Sequence, residues 1–188
     1  VIFGATCPTG TTYVEPFTSD PIADGTFTSL VGAYTYNAST DTLSLGASSA
    51  NTQLWIGARP SWTSYTLTTQ VRIDSTGGNG GVTFFMESTP SSPSNNAGAM
   101  YYAGIATNQV VLGIENGDWT ELEGPSATFA VGTFYPLQVT AKGGSLSVSV
   151  NGTAYVTNLT DSTYTFGGFG LRTYASGMTF GSIRVACN

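Results

Sequence analysis

Between positions 115 and 123 the chain reads Glu-Asn-Gly-Asp-Trp-Thr-Glu-Leu-Glu, which sets Glu115, Asp118, Glu121 and Glu123 beside Trp119. Carboxylates accept hydrogen bonds from vicinal hydroxyls, and an indole face stacks on the C–H side of a sugar ring. This combination suits a sugar site or a calcium site, or else a solvated hairpin whose tryptophan caps the edge of a core. Glycosidic hydrolysis asks for more. It needs two carboxyl groups about 5–5.5 Å apart for retention, or ~6.5–9.5 Å apart for inversion. A turn at Asn116-Gly117 interrupts the alternation that would aim Glu115, Asp118 and Glu121 at one face, so this chemistry is not expected.

Arginine is scarce, which makes two of its positions informative. Arg72 lies on the polar face of a predicted strand beside Gln70 and Thr68, where its forked donors could hold sugar hydroxyls or pair with Asp74 or Glu87. Arg172 precedes Tyr174 and could contact a ligand beside that ring or pair with the acidic hairpin. Both arginines could line one pocket. Trp55, Trp62, Tyr101 and Tyr102 could supply a stacking platform. Of these, Trp55 sits between Leu54 and Ile56 as a core residue would, and Trp62 follows Arg59-Pro60-Ser61 in a loop that would expose it.

Composition removes other classes. The chain has 188 residues with no histidine, so a serine or cysteine triad lacks its base, and zinc, iron and copper lack their usual ligand. Calcium is the one metal left open, with Asp161 a lone carboxylate in what reads as a turn; otherwise no cofactor is expected. Five basic residues against eleven acidic ones give a net charge of −6, too few cations to bind nucleic acid. No apolar run approaches the ~20 residues that cross a bilayer, and Val1–Thr6 is too short for a signal peptide, so the chain reads as a mature form. Cys7 and Cys187, without a C-x-x-C spacing, read as a disulfide. The sequons at Asn37, Asn151 and Asn158 fit N-glycosylation on a secretory route. Oligomeric state is left open.

The elements that must position these residues are strands. Charged residues are only 9 % of the chain, while glycine numbers 24 amid abundant Thr, Ser and Tyr. Leu137, Val139 and Ala141 alternate with polar residues up to Lys142-Gly143-Gly144, and Leu146, Val148 and Val150 alternate up to Asn151-Gly152, a strong hairpin signal. This spacing predicts a three-strand antiparallel meander over 135–155. Tyr65, Leu67, Thr69, Val71 and Ile73 share one face of another strand, and the glycine-rich turn 77–81 leads into Val82–Glu87. A polar loop from Ser88 to Gly98 precedes strands near Met100–Ala106, Val110–Glu115, Trp119–Leu122 and, last, Met178–Ala186. No sustained helical period occurs. The fold class is therefore all-β, an antiparallel two-sheet sandwich forming a single domain over 1–188, its first and last segments side by side.

Further residues carry a resemblance. Phe17, Leu30-Val31-Gly32-Ala33-Tyr34 and the Asp41-Thr42-Leu43 turn resemble the opening of concanavalin A-like and laminin-G-like jelly-roll sandwiches, there a first hairpin. Tyr65–Asp74 with Gly80–Phe85 resembles the paired strands of that superfamily, and Met100–Ile105 with Val110–Gly113 resembles its next hairpin. Leu137–Gly152 and Asp161–Thr173 resemble the C-terminal half of the fructan-binding modules appended to glycoside hydrolases. The resemblance implies a carbohydrate ligand. It also covers β-glucanases, whose E-x-D-x-(x)-E strand is broken here, and acid glutamic peptidases, for which Glu87 with Gln70 or Gln138 would have to face each other. The expectation is a secreted, non-catalytic carbohydrate-binding protein whose ligand contacts are Glu115, Asp118, Trp119, Glu121, Arg172, Tyr174, Arg72 and Tyr102. A secreted carbohydrate-active enzyme using the hairpin 115–123 and a structural or adhesive surface protein are the alternatives.

Overall fold

The computed structural model describes residues 7–46, 51–56, 62–88 and 98–188. Alternation of apolar and polar side chains over short, turn-bounded runs dictates strands, and among the described residues there is no helix. The described residues form fifteen strands in chain order: β1 (Thr12–Glu15), β2 (Phe27–Val31), β3 (Tyr34–Asn37), β4 (Thr42–Leu45), β5 (Asn51–Ile56), β6 (Ser64–Ile73), β7 (Asn79–Ser88) and β8 (Ala99–Ala106). Then come β9 (Gln109–Glu115), β10 (Trp119–Glu123), β11 (Phe134–Lys142), β12 (Ser145–Val150), β13 (Thr153–Thr160), β14 (Gly168–Tyr174) and β15 (Met178–Cys187). Two antiparallel sheets result. The first runs β13-β12-β11-β6-β15-β4-β3 with β1 on the edge of β15, and the second runs β10-β9-β8-β7-β14-β5-β2.

Their facing sides make the core. Leu67, Val71, Val139, Val148 and Val185 from the first sheet meet Val82, Phe84, Tyr101, Ile105, Leu112 and Leu171 from the second, all at or near zero exposure. Tyr65 ties the sheets together. Its hydroxyl accepts the Phe85 N–H at 2.9 Å and donates to the Gly168 carbonyl at 3.2 Å, and its ring packs edge-on against Phe85 at 5.4 Å. Burial pushes this phenol well above its ordinary range. Phe85 reaches the core beside Phe84 because its backbone takes a positive φ of 45° where the β7–β8 register shifts.

Most of the expected elements are present, the 135–155 meander as β11–β13 and the strict alternation of β6 among them. The imperfect period of the last strand has a cause, a register shift between Phe180 and Ile183 on β15. Cys7 and Cys187 form the expected disulfide, and β1 lies along β15 with Thr12 opposite Ala186. The opening hairpin needs correction. Leu30 and Val31 belong to β2 of the second sheet, whereas Tyr34 opens β3 of the first, so the chain changes sheets between them and the Asp41 turn joins β3 to β4. The polar loop falls at 89–97, outside the described residues, as does the side chain of Trp55.

Candidate functional site

On the second sheet, β8, β9, β10 and β14 turn alternate residues outward, away from the core. Tyr101, Ala103 and Ile105 face in and Tyr102 faces out; Val110 and Leu112 face in while Gln109, Val111, Gly113 and Glu115 face out. Register then assembles a surface. Arg172 lies opposite Gly81, Gly81 opposite Gly104, and Gly104 opposite Val111, so no side chain blocks the row across which Arg172 extends. One step along, Tyr102 lies opposite Gly113 and Gly113 opposite Glu121, and beyond that Glu115 lies opposite Trp119.

Two mid-strand glycines leave room for aromatic rings against this surface. A Cβ at Gly104 would fall 2.7 Å from Tyr102 Cζ, and one at Gly113 would fall 2.5 Å from Trp119 Cη2. Tyr102 and Trp119 meet edge-on at 5.9 Å. Above them the Arg172 guanidinium stands 4.3 Å from the Tyr102 ring centre and 5.8 Å from those of Trp119 and Tyr174, within cation–π range of all three. Its Nε lies 2.5 Å from Glu115 Oε1, and both side chains are almost wholly buried, at 4 % and 0 % exposure. The Tyr102 hydroxyl donates to Asn79 Oδ1 at 2.7 Å. Burial raises the Tyr102 phenol far above its ordinary range; the Glu115 charge adds to this and Arg172 opposes it.

These groups open onto a pocket of about 290 Å³ whose lining includes Tyr102, Trp119, Glu121, Arg172 and Tyr174, with Asn79, Gln109 and Val111. Of the residues expected to act together, the fold thus gathers five at the pocket and puts Glu115 beneath it as the partner of Arg172. Two are elsewhere. Asp118 sits in the exposed turn, where its Oδ1 accepts the Trp119 N–H at 2.8 Å. Arg72 is on the first sheet, so the idea that both arginines line one pocket is corrected. It pairs with Asp74 at 2.6 Å, donates to Thr179, and stacks on Phe134 at 5.0 Å. Two platform residues are also corrected. Trp62 is buried, stacked on Tyr13 at 5.5 Å, and Tyr101 is in the core. Glu87 is on the second sheet and Gln70 and Gln138 are on the first, so the arrangement of facing acid and amide is absent.

Asn79, Gln109 and Val111 escaped sequence reasoning because Asn79 sits in a glycine run read as a turn and Gln109 at a hairpin end. A signal existed for two of them. Counting back in twos from Glu115 reaches Gly113, Val111 and Gln109 on one face. Chemically, the pocket offers aromatic faces, two side-chain amides and one lining carboxylate. No cluster of three metal-ligating side chains occurs among the described residues, and Asp161 instead accepts hydrogen bonds from Tyr101 and Thr163. No helix among them is long and apolar enough to cross a membrane.

Solved structures share the fold. The carbohydrate binding module CBM66 from Bacillus subtilis superposes with a TM-score of 0.67 at 18 % identity, covering 83 % of this chain and 92 % of that one. A protein of unknown function with a galectin-like fold, also from Bacillus subtilis, gives a TM-score of 0.73 at 14 % identity over 96 % and 97 %. The Crh5 transglycosylase in complex with NAG gives 0.63 at 14 % over 97 % and 89 %. No curated protein matches the chain by sequence. Residues 10–186 match the family described as the 3-keto-alpha-glucoside-1,2-lyase-like domain, and the chain belongs to that family.

Proposed function

We propose that this protein binds carbohydrate in the pocket on the second sheet and does not cleave it. The observation that carries the reading is the half-buried ring of Trp119 seated over Gly113 beside the exposed ring of Tyr174, rimmed by Asn79, Gln109 and Glu121. A pyranose or furanose ring has one C–H side for such aromatic faces and a girdle of hydroxyls for the amides and carboxylate. Catalysis is disfavoured because the carboxylates are dispersed. Glu115 is tied to Arg172, Asp118 holds the turn, and Glu123 lies past a register shift. Action outside the cell fits the Cys7–Cys187 disulfide, which persists in oxidising compartments, and the exposed sequons Asn37, Asn151 and Asn158 would then carry glycans.

Isothermal titration and polysaccharide pull-down test the reading. Trp119→Ala should weaken binding about thirtyfold, the ~2 kcal/mol of a central aromatic anchor. Absence of binding to every glucan, fructan and chitin fragment tried would sink it. One observation favours a second reading. The family name denotes a lyase-like domain, elimination beside a sugar ketone requires a base, and Glu121 is the carboxylate lining the pocket. Incubation with 3-keto-glucosides would then give new products, abolished by Glu121→Gln.

A further inference from the structure

A second hollow adjoins the pocket at Tyr174. This concavity of about 320 Å³ is bounded by Gly77, Gly78, Thr107 and Asn108, and it shares Asn79 and Tyr174 with the first. Asn79 and Tyr174 are register partners at the end of β7 and β14, so the two hollows lie on either side of one cross-strand pair. Tyr174 is one of the few large hydrophobic side chains left open, at 43 % exposure, with Arg172 at 5.8 Å from its ring. Asn79 Oδ1 accepts from Tyr102, which fixes the amide and leaves its two N–H donors and the second lone pair of Oδ1 for the hollows.

The far walls are rigid and polar. Gly77 turns the chain with a φ of +98°, and a Cβ at Gly78 would come within 2.8 Å of Ser176 Cβ, so this side is bare backbone pressed on the β14–β15 turn. Opposite, the carbonyls of Thr107 and Asn108 accept the N–H groups of Phe129 and Ala127 at 3.1 Å, which pins the β8–β9 turn. Among the described residues no charged side chain lines the second hollow. A preformed cleft that presents two side-chain amides, with no charged side chain among its described lining, next to an aromatic pocket suits a second hydroxyl-bearing ring better than an apolar or ionic group.

We infer that the second hollow is a further sugar subsite, and that the ligand is an oligosaccharide of at least two uncharged units whose chain passes over Tyr174. This rests on the carbohydrate reading of the first pocket. The test is calorimetric titration of the whole chain with mono- to tetrasaccharide ladders of glucose, fructose and N-acetylglucosamine. In the ladder that binds, the step from one unit to two should tighten binding about tenfold, the yield of one or two well-made hydrogen bonds. Asn108→Trp, which fills the second hollow, should erase that step and leave monosaccharide affinity within about twofold, while Asn108→Ala should reduce it. Equal affinity for one unit and two, or a step that survives Asn108→Trp, overturns the subsite and leaves the first pocket standing. Failure of all three ladders overturns both.

Discussion

Replacing Arg172 with methionine is the most decisive single perturbation of the site. The guanidinium is 4 % exposed and its Nε lies 2.5 Å from Glu115 Oε1, itself fully buried. Removing one partner of such a pair leaves a charge in a medium that cannot solvate it, a cost of about 3–5 kcal/mol. For a chain of this length each kcal/mol moves the melting temperature by about 2–4 °C, so Arg172→Met should melt roughly 6–20 °C lower. The carboxylate left behind causes the loss. Arg172→Met combined with Glu115→Met should therefore recover most of it, since apolar residues of similar volume often replace a buried pair at little cost. Arg172→Lys should fall between, keeping the charge without the planar stack on Tyr102. Urea denaturation of the four chains of the double-mutant cycle measures this. Two results refute the reasoning: a single-variant cost below about 1 kcal/mol, or costs that simply add within ~0.5 kcal/mol.

Two other outcomes follow from groups outside the pocket. The Cys7–Cys187 bridge closes a loop with a sequence separation of 180, so in the chain-entropy model reduction should remove about 5 kcal/mol, seen as a lower thermal midpoint with reductant but not in Cys7→Ser/Cys187→Ser. The Tyr101 hydroxyl donates to Asp161 at 2.5 Å. Burial alone would raise the Asp161 carboxyl, but the bonds from Tyr101 and Thr163 outweigh it and hold the group below its ordinary 3.8. Burial, helped by the same bond, pushes Tyr101 up from 10.0 to about 12. The folded state thus favours ionised Asp161 and neutral Tyr101. The acid-side stability is whole above pH 3.8 and lost as pH falls through the depressed Asp161 value. The alkaline-side stability is whole below pH 10.0 and lost as pH rises through about 12. Tyr101→Phe should flatten both limbs of the urea midpoint against pH, and an unchanged acid slope would refute the link.

Alternation made faces legible but not sheets. Arg72 and Arg172 each sit at an outward position of a strand, and sequence reasoning could place them in one pocket because nothing local says that β6 and β14 belong to different layers. That assignment comes from the pairings of β6 with β11 and β15 and of β14 with β5 and β7, all between strands distant in sequence. The hairpin 115–123 was legible because Asn116-Gly117 marks its turn locally, and Trp119, Glu121 and Glu115 fall on one face once β9 and β10 pair. Trp62 was misread for the reverse reason. It follows a loop in sequence, yet Tyr13 and Phe169 from distant strands cover it.

Tyr102 exposes a deeper reason for partial legibility. It is fully buried although it lies on the outer face, under Arg172 and against Trp119. The rule that buried aromatics belong to the core therefore fails at this face. What makes the exception possible is the pair of glycines at 104 and 113, which in sequence look like two more turn formers among 24. In mid-strand a glycine costs roughly 0.5–1 kcal/mol relative to alanine. Here that cost is offset by the contact area of two large rings, which any Cβ at those positions would lift off the sheet. The acidic residues drew attention to the hairpin, but the shape of the pocket depends on the absence of two side chains.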